Sequence, residues 1–535
     1  MSVSIQPSQT PVQAFIESAS KAPVWVWPIL GLLLPLITHG LLPLLGVRVF
    51  LEGVTPELLM LSGGALVLGL LYLFYFQFVV KHPIVLVIYS TCFLRFSMYL
   101  CEVVEKTGHH IPFRTLLVPI LVIPALYFFL VYGFRMIKTY PFFKWVLLFL
   151  CLYGFYYLFH NYDFADPTVA HKGVLVSIAQ GAFTDYIYGF SVFVITGSMF
   201  LQKGETPEGL EQRVKLFELI NRFLIIEGTI EALCAIFGYP FGVFTMIVEE
   251  FKRSSGFLTH PNEYGKATGM MLIYFIGLYY YYIKRPGENV ALANLFKVLL
   301  LIAISTNLIA FLLTLSKNAF VGFGAAGLVY FIAAMFDDKL RKHMVVPLCV
   351  MAGMVVLALL SYQVASGKDL VTLLTERFND TRSLQWRNRV WNYLFAQMRP
   401  SSLLTGFGLT TGNMEMYRFQ FEANVVSEKQ TVYVHNAPLQ FVFEMGVWGL
   451  LIYGGMVSAS FNAIKSFFSS KLNPLYLTPV ALSLFIFLGS LVDECITEIG
   501  LNILFWFMLT MIFSFTQAQK KLNDLNLRNN QPLVA

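Results

Sequence analysis

Residues 298–336 read VLLLIAISTNLIAFLLTL, SKN, AFVGFGAAGLVYFIAAMF, and they carry the strongest structural signal in the chain. Two uncharged runs, 298–315 and 319–336, flank a three-residue turn that contains Lys317. Each run is long enough to cross the ~30 Å hydrocarbon core of a bilayer as an α-helix. The stretch therefore predicts two transmembrane helices joined by a tight turn.

Similar apolar runs recur through the 535 residues, of which 57% are hydrophobic and 13% charged, with a mean hydropathy of +0.67. Soluble chains carry ~25% charged residues, so the composition excludes a set of soluble domains, an ordinary cytosolic enzyme and a disordered chain. We predict an all-α polytopic integral membrane protein of about 12–14 transmembrane helices with one large, partly helical periplasmic loop.

The cysteines and the net charge indicate no cofactor and no nucleic-acid partner. The six cysteines lie in or beside apolar runs, and none forms a Cys-x-x-Cys pair, so we expect neither a zinc site nor a redox site. The net charge of +6 is small, and basic residues flank membrane spans for orientation reasons alone.

Basic residues are more than twice as frequent on one side of the predicted spans as in the short loops on the other. The positive-inside rule assigns the first side, with both termini, to the cytoplasm. The long polar segment 364–434 is assigned to the outer side, because long segments cross regardless of their charge. The predicted regions are the N-terminal tail 1–22, transmembrane helices 23–214, a first core part 215–363, the periplasmic loop 364–434, a second core part 435–516 and the C-terminal tail 517–535.

The loop contains a predicted amphipathic helix whose apolar face is formed by Leu384, Trp391, Leu394, Phe395 and Met398. Arg387 falls on this face, whereas Arg382 and Arg389 project to the opposite side. A charge on an apolar face needs a partner or a polar cavity, although an arginine that snorkels past an apolar patch fits the pattern equally well.

His435 and Asn436 precede an apolar run that contains Gly446 and Gly449. Asn436 is a natural N-cap and Pro438 fits a first helical turn, so His435 is expected at the outer mouth of a helix. The positive helix end favours the neutral imidazole, which can accept a proton, and its free N–H groups can bind an anion. A purely structural histidine at the membrane interface remains an alternative. The glycines are expected to allow close helix packing.

Two further outer segments carry candidate binding residues. Arg253-Ser-Ser-Gly256 is followed by His260-Pro261-Asn262, which combines an arginine and a histidine with a helix-start signal. Lys317 lies in the tight turn between the two uncharged runs. Anchoring of span ends by basic residues is the alternative interpretation for both segments.

Together these segments resemble the bacterial O-antigen ligase and O-antigen polymerase superfamily over roughly residues 215–515. The similar motifs, in family order, are Arg253-x-x-Gly256 with Pro261-Asn262, then Arg387-x-x-x-Trp391 with Pro400 and Gly406-x-Gly408, then His435-Asn436 with Gly446-x-x-Gly449. The family often has Ser-Arg where this chain has Ser316-Lys317, and lysine lacks the planar fork that grips phosphate. Arg382-x-x-x-Trp386 offers a competing register for the second motif, and we prefer Arg387.

The resemblance implies an inverting, metal-independent glycosyltransferase without a cofactor, in a bacterial inner membrane with the long outer segment 364–434 in the periplasm. Its donor would be a glycan on undecaprenyl diphosphate, and its acceptor either the lipid A-core or another lipid-linked repeat unit. His435 would be the catalytic base. The substrate-binding residues would be Arg253, Arg387, Lys317, Asn436, His260 and Asn262, with Gly446, Gly449, Trp391, Gly406 and Gly408 as structural motif residues. Other polysaccharide export proteins are possible partners.

A transporter or flippase for lipid-linked glycans is the alternative from another functional class. Glu218, Arg222, Glu227 and Glu231 fall within one predicted span, and intramembrane charges often mark transport paths. Mutual pairing of these charges inside the bundle is an equally open interpretation. A scaffold in the export machinery is a third and weaker one.

Overall fold

The computed structural model describes residues 72–97, 117–159, 172–248, 251–258, 260–284, 290–336, 370–408, 434–469, 473–492 and 499–528, with a few isolated residues between them. The described structure is 86% helical, which confirms the all-α class and the partly helical loop. The predicted N-terminal tail 1–22 and residues 23–71 of the predicted transmembrane region 23–214 lie outside the described residues.

Helices dominate the described part of the chain, with a short hairpin between the fifth and sixth of them. In chain order the elements are α1 Ile84–Ile88, α2 Ile123–Thr139, α3 Phe143–Phe159, α4 Lys172–Leu201, α5 Pro207–Gly238, β1 Thr245–Val248, β2 Phe251–Ser254, α6 Pro261–Lys284, α7 Val290–Leu313, α8 Lys317–Met335, α9 Leu370–Asn379, α10 Arg382–Gln397, α11 Pro400–Thr405, α12 Ala437–Ser460, α13 Asn462–Ser469, α14 Thr478–Ser490 and α15 Ile499–Arg528. π-helical turns follow α1 at Tyr89–Phe93 and precede α2 at Val118–Val122.

Five described helices are long and apolar enough to cross a membrane, and a sixth is added if Tyr72–Lys81 and Ile84–Thr91 form one span. The five are Val118–Thr139, Asn294–Leu313, Lys317–Met335, Ala437–Lys465 and Gly500–Leu525. Both uncharged runs around Lys317 are among them, as predicted. The total of 12–14 spans stays a prediction.

The helices α6 and α8 lie side by side and begin at the same end of the bundle. A Cβ on Gly265, near the start of α6, would lie 2.9 Å from the Ser316 Cβ just before α8. Phe485 of α14 packs against Gly269 and Gly322, farther along both helices. At the other end of α14, Thr478 Oγ1 accepts a hydrogen bond of 2.8 Å from the Tyr330 hydroxyl. Helix α14 therefore runs antiparallel to α6 and α8.

Two features differ from the sequence prediction. The antiparallel hairpin β1–β2 places Arg253 on a strand, opposite Met246, where we expected an irregular loop. Helix α15 continues through Arg528, so much of the predicted tail 517–535 extends a helix, and Lys521 there binds Glu205 at 2.7 Å.

The intramembrane charges pair between helices. Arg95 Nε donates to Glu231 Oε2 at 3.0 Å, and Arg95 Nη2 donates to the same oxygen at 2.7 Å and also to Glu227 Oε1. All three side chains are largely buried. Arg222 instead lies over the Phe296 ring, with 5.0 Å between the guanidinium carbon and the ring centroid. The guanidinium of Arg95 thus joins its own segment to α5.

Candidate active site

Arg253 is completely buried and holds two neighbouring segments together. Its Nε donates to the Thr314 carbonyl at 2.7 Å, and its Nη2 donates to Asn262 Oδ1 at 2.6 Å. The residue therefore ties β2 to the turn between α7 and α8 and to the first turn of α6. In this conformation Arg253 organises its surroundings from within the protein.

His260 caps the start of α6. Its Nδ1 accepts a hydrogen bond of 3.1 Å from the Asn262 backbone N–H, which has no partner within the helix. The Tyr264 N–H donates to the His260 carbonyl at 3.1 Å. The imidazole thus fixes Asn262, whose side chain receives Arg253, so three predicted site residues form one hydrogen-bonded group.

The turn between α7 and α8 lies at the centre of the site. Leu315 adopts φ +50°, which bends the chain sharply, and Ser316 is fully buried at the N-cap of α8. Lys317 Nζ donates to the backbone carbonyl of Asp380, at the corner between α9 and α10. The turn therefore contacts Arg253 on one side and the large loop on the other.

Helix α10 carries Arg387 in the middle of its buried face. The Trp391 indole N–H donates to the Val434 carbonyl at 3.0 Å, and Val390 and Leu394 are fully buried against Val434. Arg387 is half-buried, and its Nη1 donates to Ser383 Oγ at 2.7 Å. Its Nε is buried and has no hydrogen-bond partner among the described residues.

The face of α10 is rotated slightly from the predicted one. Leu384 and Phe395 are 46% and 56% exposed, although we expected both on the buried face. Val390 takes part in the packing instead, because segments that follow α10 in the chain, including Val434 and Leu439, pack against this side of the helix. Arg382 is exposed and Arg387 half-buried, and the assignment of the motif to Arg387-x-x-x-Trp391 stays a prediction.

His435 and Asn436 join the loop to α12. His435 is half-buried with φ +53°, an unusual conformation for a residue with a side chain. Asn436 is the N-cap: its Oδ1 accepts from the Leu439 N–H at 2.9 Å, while its Nδ2 donates to the Leu491 carbonyl at 2.9 Å. Since Leu491 directly follows α14, α12 begins at the same end of the bundle as α6 and α8.

The glycines of the last motif break α12 rather than pack two helices. Gly446 has φ +66° and ψ −159°, and a Cβ there would lie 2.5 Å from the Leu404 carbonyl oxygen. A Cβ on Gly406 would lie 2.3 Å from the Glu444 carbonyl oxygen. Gly449 faces the Phe441 carbonyl across the break. The predicted motif residues Gly406 and Gly446 are thus brought together, although 40 residues separate them.

The Gly406-Phe407-Gly408 segment repairs the broken helix. The Phe407 N–H donates to the Phe443 carbonyl at 2.8 Å, and the Gly408 N–H donates to the Glu444 carbonyl at 2.9 Å. These carbonyls are acceptors that a helix interrupted at Gly446 leaves without their usual partners. The large loop is therefore fixed to α12 eight and nine residues after His435.

Helix α10 connects the two groups of site residues. Its first residue, Arg382, follows the corner bound by Lys317, and Trp391 contacts the residue before His435. At 1.5 Å per residue, Arg387 lies about 7 Å along the axis from Arg382 and about 6 Å from Trp391. The arrangement places Arg387 between the Lys317 turn and the start of α12.

Asp380 is the site residue that sequence reasoning missed. Its carboxylate is 9% exposed and accepts hydrogen bonds from Arg377 and Arg382, at 3.3 Å and 3.1 Å for the closest pairs. The hydrogen bonds from Arg382 lower the pKa of the Asp380 carboxyl. The sequence signal that could have identified Asp380 is its position between two arginines in a basic loop.

Comparison with known proteins agrees with this geometry. Residues 269–454 match the family model of the O-antigen ligase, a narrower range than the 215–515 that we expected. The match includes Lys317, Arg387 and His435, whereas Arg253 and His260 precede it. No curated protein matches the chain. The match over residues 269–454 supports the resemblance of this chain to the O-antigen ligase and polymerase superfamily.

Proposed function

We propose that this protein is an inverting, metal-independent glycosyltransferase of the O-antigen ligase or polymerase type at the periplasmic membrane face. Its donor is a glycan on undecaprenyl diphosphate, and its acceptor is a hydroxyl of the lipid A-core or of another lipid-linked repeat unit. The family match supports the general activity. The observation that carries the finer proposal is the position of the half-buried Arg387 on α10, which follows the corner bound by Lys317 and whose Trp391 contacts Val434, the residue before His435.

His435 acts as the general base in this proposal. The acceptor hydroxyl gives its proton to the imidazole while its oxygen attacks the anomeric carbon of the donor sugar. A new C–O bond forms as the bond between that carbon and the phosphate oxygen breaks. Attack from the face opposite the departing diphosphate inverts the anomeric configuration.

The departing undecaprenyl diphosphate gains negative charge as the bond breaks. The half-buried Arg387 guanidinium can donate hydrogen bonds to a phosphate oxygen, and its Nε has no hydrogen-bond partner among the described residues. Lys317 and the starts of α8 and α12 add positive potential. These groups favour the transition state without a metal ion, because the leaving group already carries its phosphates.

Arg253, His260 and Asn262 position the other groups. Arg253 binds the Thr314 carbonyl, three residues before Lys317, and is buried away from solvent. Asn436 similarly holds the start of α12 against the end of α14. We assign these residues to the geometry of the site, and Arg387 and Lys317 to the diphosphate.

A transfer assay with purified protein and a lipid-linked glycan tests the role of the His435 imidazole separately from the role of the backbone conformation at that position. We expect His435→Asn to abolish transfer, because asparagine tolerates positive φ but cannot accept the proton. His82→Asn, at an exposed position, is the matched control and should retain activity. Near-normal transfer by His435→Asn would refute the assignment of the base.

The acceptor distinguishes the two family activities. In a deletion strain, surface polysaccharide that stops at a single repeat identifies a polymerase, because the repeats are no longer joined. Long chains that accumulate on the lipid carrier identify a ligase, because the finished glycan is no longer moved to lipid A-core. Normal surface polysaccharide would contradict both.

A further inference from the structure

The corner between α9 and α10 is built around one carboxylate. Asp380 Oδ2 accepts from Arg377 Nη1 and from Arg382 Nη2, each at 3.3 Å, and Oδ1 accepts from Arg382 Nε at 3.1 Å. The backbone carbonyl of Asp380 accepts from Lys317 Nζ. A single residue of the loop thus binds two arginines of the loop and a lysine of the membrane core.

Helix α9 packs on the core next to this corner. Leu374 packs against the cluster of Tyr239, Leu313 and Leu315. The Phe378 ring stacks on Phe320 with centroids 5.8 Å apart. The corner is therefore held against the turn that carries Lys317 by apolar contacts as well as by the lysine.

The negative charge of Asp380 stabilises the packing of the corner between α9 and α10 against the core. The Arg377 side chain is 7% exposed, and removing the carboxylate from a buried ion pair is strongly unfavourable. Hydrogen bonds from Arg382 lower the pKa of the Asp380 carboxyl, so it is ionised at neutral pH. Neutralising Asp380 would leave Arg377 without its carboxylate in the docked position.

The same side chain also sets the start of α10. Asp380 Oδ1 accepts from the Arg382 backbone N–H at 3.0 Å, one of the N–H groups without a partner inside the helix. An asparagine can accept this bond equally well. The capping and charge roles of Asp380 are therefore separable by substitution.

We propose that Asp380 is a positioning residue that holds the large loop in the docked, donor-binding conformation by neutralising Arg377. Docking keeps Lys317 on the corner and places Arg387, five residues into α10, beside the start of α12. The inference rests on the proposed function, because the docked conformation is defined by donor binding. Asp380 itself contacts no substrate in this proposal.

The test measures steady-state transfer by Asp380→Asn as a function of donor concentration. If the charge maintains docking, fewer molecules are docked in the variant and the apparent donor affinity falls by that fraction. We expect KM for the donor to rise about tenfold while kcat stays within about threefold, because saturating donor restores the docked form. A residue that acts in the chemical step would lower kcat instead, and partial unfolding would lower the active fraction without changing KM.

Removal of the buried Arg377 cation from the Asp380→Asn variant is expected to restore the apparent donor affinity, and this is the decisive test. Arg377→Gln combined with Asp380→Asn removes both charges of the buried pair and leaves only the exposed Arg382 without its carboxylate, so KM should return close to the wild-type value. The matched control is Asp338→Asn, whose carboxylate forms an exposed pair with Arg341 and whose loss should change neither constant. An unchanged KM in Asp380→Asn, or no rescue in the double variant, overturns the inference. Absence of transfer by the wild-type protein would instead refute the proposed function.

Discussion

Backbone strain marks the site at the scale of single residues. In the described part of the chain, the non-glycine residues with positive φ are Phe244, Leu315 and His435. Each lies beside a site element: the Arg253 hairpin, the Lys317 turn or the start of α12. Such conformations cost about 1–3 kcal/mol and persist where surrounding contacts determine them. The three strained residues therefore indicate where folding energy is used to fix the site.

Arg387 provides the residue-scale prediction. Arg387→Lys keeps the charge but removes the planar fork and the buried Nε, so we expect transfer to fall about tenfold or more. Arg389→Lys is the matched control, because Arg389 is exposed on the opposite face of α10. Initial rates with purified variants at equal concentration measure the difference. Equal effects of the two substitutions would contradict the role of the buried face.

The broken helix α12 is the decisive feature at the scale of elements. A break inside a membrane helix is tolerated only where other groups bind the freed backbone atoms. In α12 the Phe407 and Gly408 N–H groups bind the carbonyls of Phe443 and Glu444. The Gly406-x-Gly408 motif and Gly446 therefore form one close contact between the large loop and α12. This contact fixes the loop relative to the helix that His435 precedes.

Gly446→Ala tests this contact between the large loop and α12. Alanine is strained at φ +66° and ψ −159°, and its Cβ would meet the Leu404 carbonyl, so we expect a loss of about 1–3 kcal/mol and reduced transfer. Gly454→Ala on the same helix is the control, because its Cβ meets nothing within 4 Å and alanine favours a helix. Thermal unfolding in detergent measures the stability of both variants. Equal stability of the two would argue against the contact between Gly446 and the large loop.

The intramembrane charges bear on function at the scale of the whole molecule. A transport path was the alternative interpretation of Glu227 and Glu231, and both carboxylates bind the guanidinium of Arg95. This buried ion pair between helices explains the presence of both carboxylates by a structural role, without a transport path. The large loop, fixed over the helix starts, is also better explained by an enzyme that acts at one membrane face.

Arg95→Gln should destabilise the bundle. Two buried carboxylates would lose their common partner, and breaking a buried pair costs about 3–5 kcal/mol. Arg341→Gln is the control, since its exposed pair with Asp338 contributes about 0–1 kcal/mol. A melting temperature of Arg95→Gln equal to that of the control would remove the structural explanation and revive the transport interpretation.

Local patterns were predictable from the sequence. The uncharged runs around Lys317 predicted two spans, because a bilayer selects for length and apolarity. The capping role of Asn436 and the helix carrying Arg387 depend on neighbours within a few residues, and both were predicted. The face of α10 was predicted less well, since Leu384 and Phe395 are exposed where the elements packed against α10 leave them uncovered.

Contacts between distant residues were decided by the tertiary structure alone. Arg253 and Thr314 are 61 residues apart, and Lys317 and Asp380 are 63 apart. No periodicity or local spacing specifies such pairs, because they arise from the packing of separate helices at one end of the bundle. The sequence by itself predicted membrane-spanning helices and named the candidate residues of the proposed site. Only the packing of those helices buried Arg253, brought Lys317 to the Asp380 carbonyl and joined Gly406 to Gly446.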